Sequence, residues 1–169
     1  MTSKELVLAF LHSNGLCIIF AAITASVIKL FMNNALSDLM IYSGVVIVWP
    51  MLERFFHRFL MHEWTFLPLH FTHTRHHVMP TKENGLPDAW IIVSYYVLSI
   101  VFFATGANRL QTAFVAVMWM LVAYEFNHFS CHSNYQPKTY WGWAIRLNHL
   151  KHHNHDQTKH HAMLFPMRK

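Results

Sequence analysis

The sequence predicts an all-α membrane protein: four transmembrane helices in two hairpins, topped by a helical cap rich in histidine. Three observations carry this. Of the 169 residues 54% are hydrophobic and only 12% charged, whereas about a quarter of a soluble domain is charged. Four apolar segments stand out, and short turn-like connections join them in pairs. Ten of the 15 histidines fall into four tight motifs that follow the hairpins. The length fits one domain, 1–169, and leaves no room for a fused electron carrier.

In chain order, the start MTSKELVLAFLHSNG lacks a basic, apolar and small-residue cleavage pattern and reads as a mature N-terminus. Thr2 and Glu5 have the spacing of a capping box on a short interfacial helix. The apolar segments cover about 16–32, 39–52, 89–104 and 110–126. Each is somewhat shorter than the roughly 20 residues that cross a hydrocarbon core, so their ends are expected to extend into flanking residues. Lys29, near one end of the first, is expected to snorkel to the headgroups. Pro50 is expected to kink the end of the second or terminate it. The turns NNALS and GANR close the two hairpins. The third segment is rich in β-branched and aromatic residues but too long and apolar for a strand.

Two polar stretches, 53–88 and 128–169, form the expected cap. Two spans separate them, so they emerge on one side together with the N-terminus. All but Lys29 and Arg109 of the 13 Lys and Arg lie on that side, which the positive-inside rule makes cytoplasmic. The net charge of +5 is dispersed and suits anionic headgroups better than nucleic acid. Cys17 and Cys131 read as free thiols, Cys131 as a small packing residue. Trp141 and Trp143, with Tyr135 and Tyr140, read as an interfacial aromatic belt.

The chemistry lies in the histidines. HRFLMH holds His57 and His62, HTRHH holds His73, His76 and His77, HFSCH holds His128 and His132, and HLKHH holds His149, His152 and His153. Residues three and four apart share a helix face, so each motif can aim two or three imidazoles at one spot. The five-residue step from His57 to His62 turns about 140° on a regular helix; these two must converge across a helix end or distortion, or serve different ions. Neutral imidazole suits iron, zinc and copper. Ten rings exceed one ion's need and fit two. Glu53, Glu63, Glu125 and Asp156 stand beside the motifs as acceptors for the rings' second nitrogens, with His70 and Glu125 the foremost outer partners. His12, His155, His160 and His161 read as surface or core residues. HEWTF is no zinc-protease motif, because Phe66 stands where the second histidine belongs.

The order H-x4-H, H-x2-H-H, H-x3-H, H-x2-H-H resembles the fatty acid hydroxylase/sterol desaturase superfamily of integral-membrane di-metal oxygenases. HRFLMH, LHFTHTRHHVMPT and YEFNHFSCH are most similar to its fatty acid 2-hydroxylase branch. The resemblance covers about 53–156. It implies a four-helix stalk under a cytosolic domain in which the ten motif histidines hold two iron ions, with zinc able to replace iron in isolated protein. It also implies O2 as co-substrate and electrons from an external donor, a cytochrome b5-like protein or a ferredoxin with its reductase. The expected reaction is hydroxylation of a lipid, foremost a fatty acyl chain. Hydroxylation or desaturation of a carotenoid or sterol is the alternative within that class, and a haem or other metal-binding electron-transfer protein the alternative outside it. After the last motif, NHDQTKHHAMLFPMRK stands where relatives continue through a glycine-containing stretch.

Overall fold

The computed structural model describes residues 1–32, 36–80, 89–159 and 161–165. Among these the secondary structure is wholly helical: α1 (Ser3–His12), α2 (Gly15–Leu30), α3 (Leu36–Phe55) running directly into a π-helical segment (Phe56–Glu63), α4 (Pro68–Val78), α5 (Ala89–Ala104), α6 (Asn108–His132) and α7 (Tyr140–Asn154).

The N-terminal capping box forms: the Glu5 amide donates to Thr2 Oγ1 and the Thr2 amide to a Glu5 carboxylate oxygen. Helix α1 meets α2 at 77°, and Gly15 makes that corner possible. A Cβ there would lie 2.5 Å from the Phe10 carbonyl oxygen and 2.6 Å from its ring. The close approach seats Phe10 edge-on against Phe126 and Phe129 of α6, fixing α1 beside the end of α6 that carries His128.

Helix α6 is the spine, packing against α1, α2, α3, α5 and α7. Ala21 and Ala22 of α2 are buried against its Met118, small residues that let two helices approach closely. Outward faces stay apolar: Ile47 is 75% and Met51 73% exposed, a surface that suits lipid rather than water. Among the described residues two helical stretches, Leu36–Glu63 and Asn108–His132, are long and apolar enough to cross a membrane, and the bent α1–α2 pair makes a third if it counts as one span. Helix α5 is apolar but has 16 residues. The 25 residues of α6 measure about 37 Å at 1.5 Å per residue. That exceeds a hydrocarbon core of about 30 Å, and His128 and His132 lie in its last two turns, next to the end of its apolar stretch.

Three expectations need correction. Lys29 does not reach outward: it is buried, 3.0 Å from Asp38 Oδ2, and donates to Asn108 Oδ1 at 2.5 Å. Thr112 donates to Asp38, while Gln111 bridges Ser99 and the Ala25 carbonyl, so polar side chains join α2, α3, α5 and α6 at one end of the bundle. Removing either partner of such a buried pair would leave an uncompensated charge. Nor does the second apolar segment stop at Pro50, which lies inside α3; the helix continues as the π-helical segment to Glu63, so the first part of the expected cap, 53–63, is helix continuous with α3. Of the NNALS turn, 33–37, residues 33–35 lie outside the described residues, as does all of 81–88. The GANR turn is as expected, with Gly106 at φ +66°, a backbone geometry that costs glycine nothing.

Candidate metal centre

The distortion that HRFLMH requires is the π-helical segment. Its hydrogen bonds run from residue i to i+5, which brings a five-residue step back over itself. The rings of His57 and His62 therefore stack, with centroids 5.3 Å apart and planes 18° apart. The last two turns of α6 project His128 and His132, and α4 and α7 bring the two HH motifs.

The ten motif histidines assemble into two groups of five. His57, His62, His73, His77 and His152 form the first; His76, His128, His132, His149 and His153 form the second. Within each, one ring nitrogen per residue lies within 4.8 Å of all the others. The composition is reciprocal. Each group takes both histidines of one long helix, an i,i+4 pair from one short helix and a single histidine from the other. Helix α4 gives His73 and His77 to the first group and His76 to the second; α7 gives His152 to the first and His149 and His153 to the second. An HH motif thus feeds both groups, rather than one spot as sequence spacing led us to expect. His77 and His153 stack across the junction at 4.0 Å.

In the first group Nε2 atoms face one another: His57 with His73 and His152 at 3.1 Å, His62 with His152 at 3.0 Å and with His73 at 3.1 Å, and His77 with His73 at 3.0 Å. In the second, His76 and His128 are 2.9 Å apart and His132 and His149 2.7 Å. Hydrogen bonds within the protein cannot account for all of these contacts. His57 Nδ1 donates to the His161 carbonyl at 2.9 Å and His152 Nδ1 to the Lys159 carbonyl at 2.8 Å. Neutral imidazole carries one N–H, so both Nε2 atoms are bare acceptors, and their lone pairs meet at 3.1 Å. Adding a proton is costly, because desolvation and neighbouring imidazoles push His76 and His153 down to about 3 and His77 to about 2, and hold His73 and His149 well below the ordinary histidine range. A metal cation in the middle resolves the conflict. Two nitrogens about 2.1 Å from one ion and 90° apart lie about 3.0 Å from each other, against about 3.4 Å for a tetrahedral pair. The observed spacings match the 90° arrangement, so both groups fit a transition ion with more than four ligand positions.

Among the described residues, none of the expected outer partners hydrogen-bonds a motif ring. Glu125 Oε2 is 3.8 Å from His128 Nδ1, beyond hydrogen-bond reach. His70 stands outside both groups and bonds the Met61 carbonyl through Nδ1 at 3.0 Å. Glu63 pairs with Arg58 and Asp156 with Lys159 and Thr158, none with a ring. Glu53 is buried and accepts the backbone N–H groups of Met163 and Leu164. Cys131 belongs to neither group; it packs with Trp49, Tyr124, Ile145, Met163 and Leu164. His12 bonds its own helix at the Leu8 carbonyl, and His160 lies outside the described residues. Sequence reasoning missed His161, whose ring sits 5.3 Å from His57 and 5.2 Å from His152 and whose carbonyl orients His57. No spacing rule reaches it, because the tail that carries it folds back without regular structure.

A cavity of about 490 Å³ opens beside the groups, lined by His57, His73 and His76 and by Leu69, Leu98 and Val117, among mostly apolar neighbours. It lies between α3, α4, α5 and α6, and Glu53, Tyr124 and Glu125 also border it. No family model, curated protein or solved structure matches the chain.

Proposed function

We propose that the chain is an integral-membrane di-iron monooxygenase that hydroxylates the alkyl chain of a lipid, foremost a fatty acyl chain, and that it is a member of the fatty acid hydroxylase/sterol desaturase superfamily. The observation that carries the reading is the pair of five-imidazole groups, side by side at one end of a bundle of apolar helices and bordering an apolar cavity. His57, His62, His73, His77 and His152 would hold one iron, and the other five motif histidines the second. Iron held there would supply the activation of O2, with electrons drawn from an external donor, a cytochrome b5-like protein or a ferredoxin with its reductase. Nitrogen ligands tolerate such an oxidant, whereas thiolates are themselves oxidised.

The protein's own contribution is positioning. The cavity volume falls within the range of small-ligand sites, and its apolar wall along α5 and α6 holds an alkyl chain with one carbon toward His73 and His76. Aligning that carbon and excluding bulk water are what the scaffold supplies. A lipid reaches the cavity laterally from the bilayer, through which the four apolar segments pass as two hairpins with the histidine groups on the cytoplasmic side. The carbon count of the chain and the carbon attacked follow from the cavity's reach.

Desaturation uses the same groups and the same cavity, so one experiment separates the outcomes. Cells expressing wild type or His152→Ala under aerobic, iron-replete conditions with a competent reductase are compared by lipid mass spectrometry. A species heavier by one oxygen, present with wild type and absent with the variant, supports hydroxylation. Loss of two hydrogens assigns a desaturase instead, and an unchanged lipidome removes both.

A further inference from the structure

We propose that the tail after α7, in its described residues 157–159 and 161–165, is a strap that makes the two metal groups inequivalent, with the first holding its ion more tightly than the second, and that Glu53 is the positioning residue that anchors the strap. The inference rests on the reading that each group holds a transition cation.

The two groups differ in what holds the rings from behind. In the first, His57 Nδ1 and His152 Nδ1 each donate to a strap carbonyl, His161 at 2.9 Å and Lys159 at 2.8 Å. His77 Nδ1 of the first group is buried without a hydrogen-bond partner among the described residues, but in the second group the same holds for four rings, His76, His128, His149 and His153, and none of those four has a backing carbonyl. An Nδ1–H bond to a carbonyl fixes the tautomer, turns the Nε2 lone pair to the ion and raises the basicity of the ring; losing such a partner typically costs 10–100-fold in metal affinity. The first group has two of these bonds and is set before the ion arrives. Rings of the second group must choose tautomer and orientation as the ion binds.

The strap is held by three separate contacts. Glu53 Oε1, at the end of α3, accepts the amides of Met163 and Leu164, the latter at 2.9 Å. Asn148 Nδ2 of α7 donates to the Ala162 carbonyl at 2.6 Å. Met163 and Leu164 are buried in the apolar cluster with Trp49, Tyr124 and Ile145. Glu53 is hydrogen-bonded to the Met163 and Leu164 amides and not to a motif ring, so its effect on the metal passes through the strap carbonyls of Lys159 and His161.

The test is chelator-driven release of Fe(II) from the purified full-length protein under anaerobic conditions, followed by metal analysis. Wild type is expected to hold two ions and release them in two phases, and the paired variant His128→Ala/His132→Ala to lack the fast one. Glu53→Leu is expected to speed the slow phase 10–100-fold and leave the fast phase unchanged. Glu53→Gln, which keeps the accepting oxygen, is expected to release like wild type. Asn148→Leu loosens the strap independently, so the proposal is still tested if Glu53→Leu fails to fold. Two ions leaving wild type in a single phase would overturn the inequivalence while sparing the metal reading. A Glu53→Leu or Asn148→Leu protein that releases like wild type would overturn the strap. A wild type that holds no ion overturns both the inference and the reading beneath it.

Discussion

His57 on the π-helical segment and His152 on α7 point bare Nε2 lone pairs at each other across 3.1 Å, while both Nδ1 atoms donate to carbonyls of the C-terminal tail. Two acceptors at hydrogen-bond distance with no proton between them repel. The expected outcome in metal-free protein is that nitrogen-15 NMR finds both rings neutral and protonated at Nδ1. A proton on Nε2 of either ring would show that an ordinary hydrogen bond suffices there and that no cation is called for.

Acid should dismantle the centre. The folded protein keeps His73, His76, His77, His149 and His153 neutral, with His76 and His153 down to about 3 and His77 to about 2 against an ordinary 6.5, chiefly through burial. Below pH 6.5 the unfolded chain takes up protons that the folded chain refuses, so stability is fully present above about pH 6.5 and falls as pH drops toward 3. Thermal unfolding of the metal-free protein at a series of pH values should show the midpoint falling steadily through that window. A midpoint flat between pH 7 and pH 4 would contradict neutral, buried rings.

The Lys29–Asp38 pair makes a prediction remote from the site. Asp38→Ala leaves a buried ammonium without its carboxylate and should destabilise by about 3–5 kcal/mol, whereas Lys29→Met/Asp38→Leu, which removes both charges, should return close to wild type. Unfolding in detergent micelles measures both. If the double variant proves as unstable as the single one, the apolar exchange has damaged the packing of α2 against α3, and charge burial is not the dominant cost.

Leu121 lines the cavity from α6. Leu121→Trp shortens the space for an alkyl chain without touching a motif histidine. Product profiles should shift to shorter acyl chains while the bound metal stays at the wild-type ratio. An unchanged chain-length profile would place the substrate elsewhere.

Much of this architecture is legible in the sequence, for identifiable reasons. Apolar runs and turn residues are local signals, so helices α2 and α5 and the GANR turn can be read within a few residues, whereas the helix of α3 continues past the expected end at 52 to Glu63 and α6 past 126 to His132, where polar histidine motifs end the apolar signal but not the helix. The four motifs announce themselves because histidine is rare at that density in an apolar chain. Division of the rings between two groups is not local. His76 and His77 are neighbours in sequence yet serve different groups, because one turn of α4 faces two long helices at once. The mismatch of HRFLMH with helical spacing left a helix end, a distortion or service to different ions open, and the π-helical segment makes it a distortion that brings both rings into one group. The partner of Lys29 and the role of the tail were beyond reach, since each depends on contacts across 9 or more than 100 residues. Glu53 appeared to face a ring when read beside its motif; folded, it faces the returning tail.

The most direct measurement of the central claim is the metal-to-protein ratio of full-length protein loaded anaerobically with Fe(II) and freed of loosely bound ions. The account predicts two irons per chain, falling to one in His62→Ala/His73→Ala and to one in His128→Ala/His132→Ala. Wild-type protein that is folded yet retains no iron, or paired variants that keep the wild-type ratio, would contradict it.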